Sequence, residues 1–289
     1  MTDQNIVYLN GQWMPADEAK VSAFDRGFIF GDGVYEVIPV YGKRPFRLAQ
    51  HLGRLMRSCD AIHLTNPCKD ADWIAIIEKL INQSDAQDQM VYLQITRGAA
   101  PRDHAFPENS QPTCFAYGKP MTYPDVKTQA NGVAAITTQD IRWLRCDIKA
   151  TALLANVILR QSAVENGAAE AILLRDDSLT EGAASNIFIV RNDCIVTPPK
   201  SELILPGITR DLVVQLARAN NLCLEERDVS VDELMTANEV WMTSSTKEIL
   251  PIVKINNNSI GSGKSGPMHK RMLTIYQEYI DRFRKGEVD

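Results

Sequence analysis

The sequence predicts a protein of mixed α and β structure. Two kinds of segment carry that reading. Val34–Val40 alternates its faces as a strand does, whereas Leu48, Leu52, Leu55, Met56, Cys59 and Ile62 recur at helical spacing. At 289 residues the chain is long enough for one large domain or two moderate ones, each with a real core.

Hydrophobic residues make up 45% and charged residues 23%, ordinary values for a globular protein in water. The formal net charge of -5 argues against a general nucleic-acid binder, and no apolar run is long enough to cross a bilayer. The opening Met-Thr-Asp-Gln-Asn lacks the basic and apolar regions of a secretory signal, so a cytoplasmic protein is expected. Six scattered cysteines without a CxxC pair are expected to be mostly reduced thiols, and their spacing does not suggest a structural zinc site.

In chain order, Val7–Leu9, Asn10-Gly11 and Gln12–Met14 read as strand, tight turn and strand, because Asn-Gly accepts the dihedrals of a hairpin turn. Gly31-Asp32-Gly33 is a turn leading into the Val34–Val40 strand, which puts Tyr35 and Val37 on one face and Val34 and Glu36 on the other. No strand–GxGxxG–helix order surrounds these glycines, so they are not a dinucleotide fingerprint. Arg47–Ile62 is a helix in which Arg54 falls beside the apolar stripe; a charge there needs an anionic partner or must reach solvent. A second helix, Asp72–Ile81, and a strand, Val91–Thr96, follow.

The loop Arg97–Pro107 carries Arg102 and His104 two residues apart, so in extended backbone they face the same way. A guanidinium beside an imidazole donor suits a carboxylate, and a solvated basic loop tip has the same composition. Cys114–Tyr117 is a short strand. Residues 119–131 lack a sustained period and read as a linker between a smaller domain, 1–118, and a larger one, 132–289.

After the strand Val133–Thr137 comes Arg142-Trp-Leu-Arg-Cys-Asp-Ile-Lys149. Leu153, Leu154, Val157, Ile158 and Val164 then recur at helical spacing, which predicts a helix over Ala152–Glu165 packed behind Lys149. A lysine at the mouth of an element can act as a nucleophile toward an aldehyde if burial or neighbouring cations such as Arg142 and Arg145 lower its pKa; a solvated lysine is the common alternative. Ala171–Leu174 and Asn186–Val190 are strands, and Glu181 between them is either a buried carboxylate that needs a partner or a turn residue in water. Leu205-Pro-Gly-Ile208-Thr209 leads into a helix with Thr209 suited to its N-cap, a natural place for a phosphate. Thr243-Ser-Ser245-Thr follows the strand Glu239–Met242 as a second candidate cradle, or as a polar loop. Gly261–Gly266 lacks the first glycine of a P-loop and reads as a surface loop, and Met268–Phe283 closes the chain as an amphipathic helix.

Arg145-Cys-Asp-Ile-Lys149, followed about thirty residues later by Leu179-Thr-Glu-Gly-Ala-Ala-Ser-Asn186, resembles the fold-type IV pyridoxal-phosphate enzymes. Pro101-Arg-x-His-x-Phe-Pro107 makes the likeness strongest to the bacterial D-amino acid aminotransferases. The likeness runs from about Tyr8 to the loop near Pro267. It implies an α/β (α+β), two-domain fold-type IV protein. Pyridoxal 5′-phosphate would be held by Lys149 as a Schiff base, with Glu181 at the ring nitrogen and Leu205 against the ring. Arg54, Ile208, Thr209 and Ser245 would hold the phosphate. It implies substrate binding by Tyr35, Arg102 and His104, the last two acting across the interface of a homodimer. The implied reaction is D-alanine and 2-oxoglutarate to pyruvate and D-glutamate. Branched-chain L-amino acid aminotransferases and aminodeoxychorismate lyases are the alternative within the same fold. The chain departs from the Glu-Gly-Ser-Ser-Ser-Asn of the relatives at Ala183 and Ala184, which implies a changed substrate preference.

Overall fold

The computed structural model describes residues 6–289. These divide into two compact units. The first runs through Thr122 and takes back the later segment Ile148–Leu153; the second comprises Tyr123–Asp147 and Leu154–Val288.

The first unit is built on an antiparallel sheet of β1 (Ile6–Leu9), β2 (Gln12–Pro15), β3 (Gly33–Tyr41), β4 (Arg44–Pro45), β5 (Gln89–Thr96) and β6 (Thr113–Pro120). Among the described residues its order is β2-β1-β6-β5-β3-β4. Asn10 and Gly11 take the positive φ values that a tight β1–β2 hairpin requires. Helices α2 (Leu48–Ala61) and α3 (Asp70–Asn82) pack their apolar stripes onto the sheet, burying Leu52, Leu55, Trp73, Ile77 and Leu80 against Val34, Ile38, Val91 and Leu93. The sequence reading did not foresee a short helix, α1 (Arg26–Phe30), before the first strand of the pair β3–β5. Its two stops are visible in hindsight: Asp25 accepts from the Gly27 N–H, and Gly31 ends it in the left-handed region at φ 69.

The second unit begins with α4 (Val126–Asn131), a single capped helix inside the stretch read as irregular. Its strands are β7 (Val133–Gln139), β8 (Glu170–Arg175), β9 (Ser178–Gly182), β10 (Asn186–Arg191), β11 (Cys194–Thr197), β12 (Leu224–Glu226), β13 (Glu239–Ser244), β14 (Glu248–Ile255) and β15 (Asn258–Ser259). The described order is β12-β11-β10-β13-β14-β7-β8-β9, with β15 on β14. Helices α5 (Leu154–Glu165), α6 (Ile208–Ala219), α7 (Val231–Met235) and α8 (Pro267–Arg284) complete it. Strands β7 and β8 run parallel, joined by α5, as a crossover requires.

Three sequence expectations need correction here. Helix α5 buries Leu159 and Ala163, whereas Leu154, Val157, Ile158 and Val164, the stripe expected to pack, are exposed. Helix α6 takes Gly207 as its N-cap, so Thr209 is its second residue. Cys194 and Cys223 form a disulfide between the first residue of β11 and the residue before β12, while Cys59, Cys68, Cys114 and Cys146 remain thiols. No helix of the described residues is long and apolar enough to cross a membrane.

Candidate active site

Two groups of side chains answer to the sequence expectations, one in each unit. The first is organised around Lys149. The segment Ile148–Leu153 lies along the start of β3: Ala150 bridges Val34, the Tyr35 N–H donates to the Lys149 carbonyl at 3.0 Å, and the Thr151 N–H donates to the Gly33 carbonyl at 2.9 Å. The Thr151 hydroxyl adds a bond to the Gly31 carbonyl at 2.9 Å, and Ser58 of α2 accepts the Lys149 N–H at 3.2 Å. A side chain on Gly31 would meet the Ala152 backbone at 3.0 Å, so the close approach of this strap needs the glycine. Ile148 and Ala150 enter the core, as alternation demands, and Lys149 takes the other face, its Nζ 4.1 Å from the centre of the Tyr35 ring.

Beneath it lies a buried trio that the sequence did not announce. Glu36 receives Arg54 as a fork, Nε on Oε1 at 2.7 Å and Nη2 on Oε2 at 2.9 Å, and His51 Nδ1 lies 2.8 Å from Oε2. Burial works against the charge on Glu36, yet Arg54 and His51 hold its carboxyl far below the ordinary range. The anionic partner that Arg54 needed is therefore Glu36. Strand alternation had already turned Glu36 inward, which was the signal available.

Arg102 and His104 are exposed on their loop, beside the Phe30 ring. Arg26 donates to the carbonyls of Asp103, His104 and Ala105.

In the second unit Glu181 is buried at 4% exposure on β9. Its Oε1 pairs with Arg142, and its Oε2 accepts from Asn186 Nδ2 and from the Leu205 N–H, each at 3.0 Å. Burial pushes the Glu181 carboxyl up to about 7 against the pull of Arg142. Arg142 is itself shared with Asp140, and Arg145 pairs with Asp147, so the positive charge of both arginines is spent on carboxylates. Asn186 also donates to the Leu205 carbonyl at 2.9 Å. A side chain on Gly207 would sit 2.0 Å from Asn186 Oδ1, which is why the helix cap closes this tightly on Glu181's partner. Ile208 and Thr209 open α6, and no carbonyl of their own helix can take their N–H groups. Asn186 lies opposite Thr243 in the β10–β13 register, which brings Ser245, at the β13–β14 hairpin, to the same end of the sheet.

The family described as Amino-transferase class IV matches residues 33–255, which include Lys149, Glu181 and both strands that carry Glu36 and Ser244. This chain is a class IV aminotransferase. The D-alanine aminotransferase of Bacillus licheniformis is 44% identical to it over 95% of this chain and 96% of its own length. Among solved structures, the branched-chain amino acid aminotransferase of Escherichia coli shares the fold at a TM-score of 0.91 and 24% identity, over 99% of this chain and 96% of that one. That of Thermobaculum terrenum, in its PLP form, has a TM-score of 0.84 and 26% identity, over 97% of this chain and 96% of that one.

The donor set of this aminotransferase fits pyridoxal phosphate. The group carries an anionic phosphate, a ring nitrogen that takes a proton, and an aldehyde. Helix α6 offers unpaired N–H groups for the first. Glu181, buried so deeply that its carboxyl is raised to about 7, gains from a cationic N–H beside it. The Lys149 amine would suit the third. Of the two alanines after Gly182, Ala183 packs in the apolar cluster of Leu159, Ala163 and Leu173, whereas Ala184 is exposed. Ser185 is occupied by the buried Glu170 at 2.8 Å.

Proposed function

We propose that this enzyme transfers the amino group of D-amino acids, D-alanine among them, to 2-oxo acids such as 2-oxoglutarate, with pyridoxal 5′-phosphate as its cofactor. The observation that carries the reading is the near-complete match to a D-alanine aminotransferase. The exposed Arg102 and His104, paired as a carboxylate trap, support it.

Bound, pyridoxal phosphate supplies the electron sink that lets the substrate's α-hydrogen leave as a proton. Lys149 would hold the cofactor through its Nζ, and the same amine, once free, would take the proton from the substrate Cα and carry it. Glu181 would keep a proton on the ring nitrogen, and Asn186, Arg142 and the Leu205 N–H hold that carboxylate in place. The N–H groups of Ile208 and Thr209, the Ser245 hydroxyl and Arg54 would hold the phosphate, and Leu205 would offer an apolar side chain to the ring. Glu36 engages Arg54 through Nε and Nη2, which fixes the plane of the guanidinium for that role. Tyr35, Arg102 and His104 bind the α-carboxylate. In the second half of the cycle the same residues act on a 2-oxo acid in reverse order.

The enzyme is read as a cytoplasmic homodimer in which Arg102 and His104 serve the partner's site. The exposed apolar stripe of α5 supports an assembly, since Leu154 is 73% exposed and Val157 60% exposed. Branched-chain L-amino acids are the second reading, favoured by the fold likeness to those enzymes.

The test is transamination with 2-oxoglutarate, comparing D-alanine with L-leucine. Turnover of D-alanine, abolished in Lys149→Ala, is expected. Turnover of L-leucine alone would keep the cofactor chemistry and overturn the substrate.

A further inference from the structure

The turn Gly31-Asp32-Gly33 carries a carboxylate that the cofactor and the lysine do not use. Asp32 stands between two buried arginines. Arg97 forks onto it, Nε on Oδ2 at 2.8 Å and Nη2 on Oδ1 at 3.0 Å, and Arg26 Nε reaches the same Oδ2 at 2.7 Å. Both guanidinia are thereby fixed in plane and rotation.

Each arginine then uses its remaining N–H groups on backbone. Arg26 Nη1 donates to the Asp103 carbonyl at 2.5 Å and the Ala105 carbonyl at 3.2 Å, and Nη2 to the His104 carbonyl at 3.4 Å. Three consecutive carbonyls on one guanidinium clamp the middle of the loop. Arg97 donates to the carbonyls of Ile62 and His63, and its guanidinium carbon lies 3.8 Å from the centre of the Phe106 ring. That secures the far end of the loop to the end of α2. The Phe30 ring has Arg26 at 4.9 Å and Arg102 at 5.3 Å from its centre, so it separates the clamp from the residue presented.

We propose that Arg26, Asp32 and Arg97 are positioning residues for the carboxylate-binding loop: Asp32 sets both arginines, Arg26 grips the backbone on either side of His104, and Arg102 and His104 are presented in a preformed geometry. The inference rests on the reading that this loop takes the substrate α-carboxylate. An exposed loop without such support would lose conformational freedom each time an anion bound. Donor amino acid and acceptor oxo acid both present a carboxylate to the same loop, so the device acts on the binding of both.

The test uses the holoenzyme with Arg26→Lys, Asp32→Asn and Arg102→Ala. Lysine keeps a cation against Asp32 but has no fork for three carbonyls. In Arg26→Lys and Asp32→Asn we expect KM for D-alanine and for 2-oxoglutarate to rise together by roughly tenfold, with kcat within about twofold of the parent. Amide hydrogen exchange should quicken at residues 102–107 and stay unchanged in α2, and the visible spectrum of the bound cofactor should not move. Arg102→Ala calibrates the loop and should raise both KM values. If Arg102→Ala raises them while the other two variants stay within about twofold of the parent, the clamp is overturned and the carboxylate site stands. If Arg102→Ala also leaves KM unchanged, the loop is not the carboxylate site and both readings fall. Loss of kcat and melting temperature at constant KM would make the cluster a fold element only and overturn the proposal.

Discussion

Arg54 meets Glu36 fork to fork, Nε on Oε1 at 2.7 Å and Nη2 on Oε2 at 2.9 Å, in the core of the first unit. Glu36 is fully buried and Arg54 is 4% exposed, so a charge on either depends on partners close by. Glu36→Gln would take this carboxylate away from the Arg54 guanidinium. We expect a loss of roughly 3–5 kcal/mol in urea unfolding at neutral pH. The pH dependence follows from the depressed carboxyl: such a group contributes stability above its unfolded value of 4.5, and that stability is lost as pH falls below it. The variant should show a flatter acid limb than the parent.

Glu181 has the opposite sign. Its folded value of about 7 lies above the unfolded 4.5, so the folded cofactor-free protein holds the proton more tightly than the unfolded chain in that window. Stability of the cofactor-free protein should therefore fall as pH rises from 4.5 toward 7, and Glu181→Gln should remove that slope. With cofactor bound, the same variant is expected to lower kcat by on the order of a hundredfold, because a neutral amide cannot keep the ring nitrogen protonated. Thermal melts across pH and steady-state kinetics check the two halves.

Gly207→Ala puts a methyl group 2.0 Å from Asn186 Oδ1. The Asn186 amide must then swing away from Glu181 and Leu205. We expect a cost of about 1–3 kcal/mol in stability. Cofactor should also leave faster on dialysis, since the first turn of α6 shifts with its cap. Retention of the visible absorbance during dialysis would contradict this.

The exposed stripe of α5 gives a test of assembly. Val157→Asp and Ile158→Asp alter side chains that are 60% and 52% exposed, so the fold of the single chain should tolerate them. On the proposed homodimer, light scattering should show a shift toward monomer, with turnover falling in step as Arg102 and His104 lose the partner's site; an unchanged mass would overturn the assembly through this face.

Much of the fold was readable wherever one face of an element is buried. The β1–β2 hairpin, the stripes of α2 and α3, and α8 follow from local periodicity and turn chemistry. Helix α5 shows the limit of that logic. Periodicity finds an apolar face but does not say what covers it, and here Leu159 and Ala163 pack while Val157 and Ile158 look outward. Lys149 and Glu181 stood out as residue types in a motif. The buried ion pairs around them did not, because Glu36 with Arg54, Asp32 with Arg97 and Glu181 with Arg142 join residues far apart in the chain. Helix α1 escaped notice because five residues are too few to show a helical period.

The strap Ile148–Leu153 has a consequence for how this protein is made. The chain finishes the strands of its first unit by Pro120, contributes Tyr123–Asp147 to the second, and only then returns for the six residues that carry the lysine. On the ribosome, the edge of β3 at Val34 waits for a pairing partner that has not yet been synthesised. A nascent chain stopped at the end of β6 would contain every residue of the Glu36–Arg54 pair and of the loop clamp, yet lack Lys149. The lysine proposed to hold the cofactor therefore joins the first unit only after the strands of that unit have been made.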